Sequence, residues 1–80
     1  MSKAELILSD LINGYYKLTF HAHERMSQRN ITRYDISDCA QTGVLTFKDN
    51  KYHIVGKDSS GESMKIVCVY EDGVLIITVI

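Results

Sequence analysis

Apolar residues fall into two kinds of pattern along the chain, and the change between them comes at Gly43. Before it the spacing is helical. In Lys3–Asn13, Ala4, Leu8, Leu11 and Ile12 recur at helical intervals, and Asn13-Gly14 supplies a stop. The aromatic and β-branched "YYKLTF" that follows suggests a short strand. A second helix is expected from His21 or Ala22 to Gln28 or Arg29. Ala22 and Met26, four apart, form its buried stripe, and Asn30 ends it. Thr32 then starts a third helix, with Asp35 three residues on as in a capping box. Ile36, Cys39 and Ala40 make its inner face, and Gly43 is its C-terminal stop.

From Val44 the period falls to two. "VLTFKD" and "KYHIVGKD" read as strands joined at Asp49-Asn50, and "SSGE" is the next turn. "SMKIVCVY" alternates Met64, Ile66, Cys68 and Tyr70 against Lys65, Val67 and Val69. After "EDG", the run "VLIITVI" is apolar on both faces, which suits a central strand covered on both sides or an interface. Helices first and strands afterwards predict an α+β domain, its N-terminal helices packed on a four-stranded antiparallel sheet. One domain spans 1–80: an N-terminal helix over 1–14, a helical segment with a basic motif over 15–43, and a β-meander over 44–80.

Composition narrows the function classes. Eighty residues make one small domain, which buries roughly 60–65% of the unfolded chain's surface. The formal net charge is −1, so any nucleic-acid or anion site must be local rather than a matter of bulk charge. Cys39 and Cys68 lie far apart within apolar patterns, as buried free thiols of a cytoplasmic protein do. Glu5 and Asp10 interrupt the apolar N-terminus, so a signal peptide or membrane span is not expected.

The basic chemistry is concentrated. All three arginines, Arg25, Arg29 and Arg33, lie between His21 and Tyr34. His21, Arg25 and Arg29 are successive neighbours four apart, on the shoulder of the second helix beside the Ala22/Met26 stripe. Such a like-charged row costs a few tenths of a kcal/mol (about 0.2–0.5) per pair even when exposed. It can be offset by ion pairs to Asp35 or Asp38, or by a bound anion such as a phosphodiester, which suits the guanidinium fork. His21 and His23 are two apart, so on a helix they cannot share a metal ion; on a strand they would, with His53 as a third ligand, and no cysteine or carboxylate completes a recognisable set. His53 sits on a strand, on the face opposite Tyr52 and Ile54. The five tyrosines suit half-buried packing with a hydroxyl at the rim, or base stacking near the basic row.

"HAHERMSQRNIT" resembles the opening motif of a family of small bacterial proteins of unknown function that is grouped near the RelE/ParE-like toxins. The pattern is His-Ala, two residues, Arg-Met, two residues, Arg, a short residue, and Ile-Ser/Thr. It falls here on His21-Ala22, Arg25-Met26, Arg29 and Asn30-Ile31-Thr32. With the later helix and strands, the resemblance covers residues 16–80. It implies a RelE-like fold and, by analogy, a toxin of a toxin–antitoxin pair that binds RNA or the ribosome, or cleaves RNA without a metal. In that role His21 or His53 moves the proton with help from Tyr70, while Arg25, Arg29, Arg33 and Lys65 hold the phosphate. No cofactor is implied, and an antitoxin protein is the expected partner. The chain departs from the pattern at its end. Toxins of this type carry basic or tyrosine residues on or after the last strand, and here no charge follows Asp72. A non-catalytic module is the rival expectation, with Val74–Ile80 pairing in a homodimer or with a partner protein.

Overall fold

Hydrogen bonds to short side chains define the helix starts. In the computed structural model, which describes residues 1–80, α1 spans Lys3–Asn13. The Ser2 hydroxyl accepts from the Glu5 N–H, and the Glu5 carboxylate accepts from the Ser2 N–H, so two otherwise orphaned donors are satisfied. Gly14 ends the helix at φ 81°, in the left-handed region that glycine adopts freely. The stripe that α1 buries is Ile7 and Leu11, with Leu8 and Ile12 packed beside it. Ala4 is only half-buried, so the inward face is centred on Ile7 rather than on the expected Ala4/Leu8 line.

A short strand, β1 (Tyr16–Leu18), leads into α2 (Phe20–Arg29). α2 begins slightly before the expected start because Thr19 caps it. The Thr19 hydroxyl accepts from the Ala22 N–H at 3.0 Å and donates to the Ile77 carbonyl at 2.9 Å, tying the helix start to the last strand. Ala22 is fully buried and Met26 packs half-buried against the core, as the spacing predicts. α3 (Arg33–Thr42) carries the Thr32/Asp35 capping box and buries Ile36, Cys39 and Ala40. Strands β2 (Val44–Lys48), β3 (Lys51–Lys57), β4 (Ser63–Tyr70) and β5 (Val74–Val79) follow. Asp49 and Asn50, at φ 55° and 61°, form the two-residue turn between β2 and β3.

The sheet corrects the expected architecture. It has five strands in the order β1-β5-β4-β3-β2, and β1 runs parallel to β5. A four-stranded antiparallel sheet was expected because "YYKLTF" lies far from the meander in sequence. The backbone of Tyr16–Leu18 nevertheless pairs with Val74–Ile76. β5 is therefore internal, with β1 on one side and β4 on the other, which explains a run that is apolar on both faces. On its β1 side, β5 is paired along Val74–Ile76.

All three helices bury residues in one core cluster with β3, β4 and β5. α3 lies so close to the sheet that any side chain on Gly56 would run into the Cys39 carbonyl oxygen and the Gly43 backbone. No helix is long and apolar enough to cross a membrane.

Candidate anion-binding face

Strand alternation divides the sheet into two unlike faces. Ile54, Met64, Ile66, Cys68, Val74, Ile76 and Val79 point into the helix-covered core. The alternate positions point away from the helices. The ladder sets Val44 against Val55 and Val55 against Lys65. It sets Thr46, His53, Val67 and Thr78 in one row, and Val69, Leu75 and Lys17 in another. Val67, 7% exposed, is the one buried residue outside the helix-covered cluster. Its cover comes from neighbours on the open face.

Charge is sorted across this face. Five of the six lysines (Lys17, Lys48, Lys51, Lys57 and Lys65) stand on strands at open-face positions, and Lys3 is the exception. All ten acidic residues lie in helices or in the turns and loops between elements, so no strand carries a carboxylate. Lys48 and Lys51 are direct cross-strand partners, an arrangement that is unfavourable without an anion nearby. The lysines rim an aliphatic centre of Val55, Val67, Val69 and Leu75. His53 Nε2 lies 3.3 Å from the Lys48 carbonyl oxygen. A carbonyl oxygen can only accept, so Nε2 is the donor in this contact.

The sequence-predicted site residues do not converge. His53 and Lys65 are diagonal neighbours on the open face, since His53 pairs with Val67 and Lys65 with Val55. His21, Arg25 and Arg29 are on α2, whose buried residue belongs to the opposite, helix-covered side. His21 and Arg29 are exposed. Arg25 is half-buried, and its Nε is shielded from solvent without a hydrogen-bond partner. Arg29 lines a cleft of about 140 Å³ together with Asp58 and Glu62. Arg33 starts α3 and lies against Gly14. Tyr70 packs on the core side, with the Lys3 ammonium 5.4 Å from its ring centre. Asp35, one expected partner of the arginine row, is otherwise engaged: it accepts from the Thr32 and Ser59 N–H groups at 2.9 and 3.0 Å. These bonds, the Thr32 one foremost, hold its carboxyl below the ordinary range. Sequence reasoning singled out Lys65 and His53 but missed Lys17, Lys48, Lys51 and Lys57. Period-two alternation was the available signal for Lys48, Lys51 and Lys57. Lys17 required the pairing of β1 with β5.

The thiols are inert packing groups. Burial pushes Cys39 up to about 11 and Cys68 up to about 12. Cys39 Sγ lies 3.4 Å from the Met64 carbonyl oxygen.

The sequence profile of a domain of unknown function, DUF4258, matches residues 18–80. The chain belongs to the DUF4258 family. The DUF4258 match takes in α2, α3 and the meander β2–β5, so it contains four of the five open-face lysines as well as His53. α1 and the first two residues of β1 stand outside it. No curated protein matches the chain, and no solved structure does.

Proposed function

We propose that this chain is a toxin-type RNA-binding protein, akin to the RelE/ParE-like toxins, that holds an RNA backbone on its open sheet face. The observation that carries the reading is the sorting of charge: five lysines and one histidine on one face, and no carboxylate in any strand. Ammonium groups on flexible stems suit phosphate contacts that ignore sequence. The HAxxRMxxR motif supports the family likeness, and its arginines lie on another surface.

Any cleavage under this reading centres on His53. In that step the neutral His53 imidazole takes the 2′-hydroxyl proton as the 2′ oxygen attacks phosphorus, the imidazolium returns the proton to the 5′ oxygen as its bond to phosphorus breaks, and Lys65 on the facing strand offsets the charge on the phosphate. Tyr70, on the core side, takes no part. The test is fluorescence anisotropy with a labelled single-stranded RNA. The Lys51→Ala/Lys65→Ala pair is expected to weaken binding and leave the melting temperature near that of the wild type. Unchanged affinity in that double variant would overturn the reading.

The aliphatic centre of the face favours a second reading, an interaction module for a partner protein with an acidic rim. Self-association through this face is disfavoured, because it sets lysine against lysine. Light scattering at low salt separates the two kinds of association: a monomer is expected, and a dimer that persists at low salt would count against the electrostatic account.

A further inference from the structure

A shallow cleft of about 290 Å³ opens where the α1–β1 connection meets the β4–β5 turn. Gly14 and Gly73 contribute backbone to it, Tyr15 and Tyr16 aromatic surface, Lys17 an ammonium and Asp72 a carboxylate. Tyr15 is 71% exposed, a large aromatic ring left in solvent at the mouth of a cleft. The Arg33 guanidinium sits behind Gly14, where an added methyl group would come within 2.8 Å of its Nη2.

The lining discriminates among ligands. A phosphate would meet the Asp72 carboxylate, which repels it. A metal ion would find a single carboxylate, and no group of three potential ligands exists anywhere in the chain. A flat ring fits better. Tyr15 offers a stacking face, the two glycines let a ring approach the backbone, and ionised Asp72 accepts only from groups that donate, such as an exocyclic amine. The volume lies at the lower limit for small-molecule sites, about 300 Å³, and suits one ring system rather than a larger ligand. Lys17 belongs both to this cleft and to the open face, so the two are continuous.

We propose that the cleft takes one unpaired, amino-bearing nucleobase of the RNA whose backbone lies on the lysine face, with Tyr15 stacking on it and Asp72 accepting from its amine. The proposal rests on the RNA-binding reading and adds a base-reading site to it. The cleft is built largely from Gly14–Lys17 and thus lies partly outside the DUF4258 match.

The experiment titrates the full chain with a labelled oligoadenylate and with an abasic ribose-phosphate oligomer of equal length, each at several salt concentrations. The wild type is expected to bind oligoadenylate about tenfold more tightly than the abasic oligomer, the size of one base–aromatic stack. Tyr15→Ala should remove that preference and keep the salt dependence. Tyr15→Phe should retain the preference, because the ring face is kept. Asp72→Asn should reduce it for oligoadenylate but not for oligouridylate, which has no amine. Tyr15 is exposed, so these variants should fold, and a thermal melt verifies it. Equal binding of both oligomers by the wild type, or a preference that survives Tyr15→Ala, overturns the base site and leaves backbone binding standing. Failure of both oligomers to bind overturns the two readings together.

Discussion

His53 and Val67 face each other across β3 and β4 on the side of the sheet that the helices leave open. One is the only imidazole on that face, and the other is a nearly buried aliphatic residue outside the main core. Around this pair stand lysines, and no strand carries a carboxylate. A chain of net charge −1 thus carries a cationic surface, because its acidic residues lie in helices and turns. Local segregation of this kind sets the field a polyanion meets, and net charge does not report it.

The Lys48/Lys51 pair predicts a trade between stability and binding. Lys51→Glu converts a like-charged cross-strand pair into an opposite-charged one. The variant should be stabilised by about 0.2–1 kcal/mol and should bind RNA less tightly. Thermal melts and anisotropy titrations on the same preparation check both halves. A variant that loses stability would show that the pair is not strained.

Gly56 marks the closest approach of α3 to the sheet. Gly56→Ala forces the Cys39 carbonyl and the Gly43 backbone to move, an overpacking that costs about 1–3 kcal/mol. In a domain of this size that lowers the melting temperature by at least about 4 °C. Calorimetry reads it directly, and an unchanged melting temperature would mean that the helix can lift off at little cost.

Acid stability should depend on Asp35. Its folded pKa lies below the unfolded value because the Thr32 and Ser59 N–H groups favour the carboxylate. The associated stability is present above the unfolded pKa, about 3.9, and is lost as pH falls through the lower folded value. Asp35→Ala should therefore lower the melting temperature at pH 7 and flatten the decline below about pH 4. Parallel curves for variant and wild type across that range would contradict the assignment.

The cysteines should be silent until the chain unfolds. With Cys39 raised to about 11 and Cys68 to about 12, little thiolate exists at neutral pH. A chromogenic disulfide reagent should label neither in the native protein and both in denaturant. Rapid native labelling of either would mean that the core opens locally.

Much of the fold could be read from local chemistry. The Thr32/Asp35 box, the Ile36/Cys39/Ala40 stripe, the Asp49-Asn50 turn and the alternation of β4 all depend on residues close in sequence. The parallel pairing of Tyr16–Leu18 with Val74–Ile76 does not. It joins segments separated by most of the chain, and three residues carry too little pattern to announce a partner. That pairing decided the rest, since it made β5 internal and put Lys17 on the open face. The arginine motif drew attention for its density, yet its spacing places it on a helix, away from the sheet lysines. Lys48, Lys51 and Lys57 looked like ordinary solvent-facing strand residues until the ladder set them on one face.

The salt dependence of RNA affinity tests the central claim most directly. Binding of a single-stranded RNA should weaken linearly on a log–log plot against salt, with a slope of about 0.7 for each phosphate neutralised. Lys48→Ala, Lys51→Ala and Lys65→Ala should each shallow that slope by about one such increment, while Arg25→Ala leaves it where it was. A slope unmoved by the lysine substitutions and reduced by Arg25→Ala would contradict the account and return the site to α2.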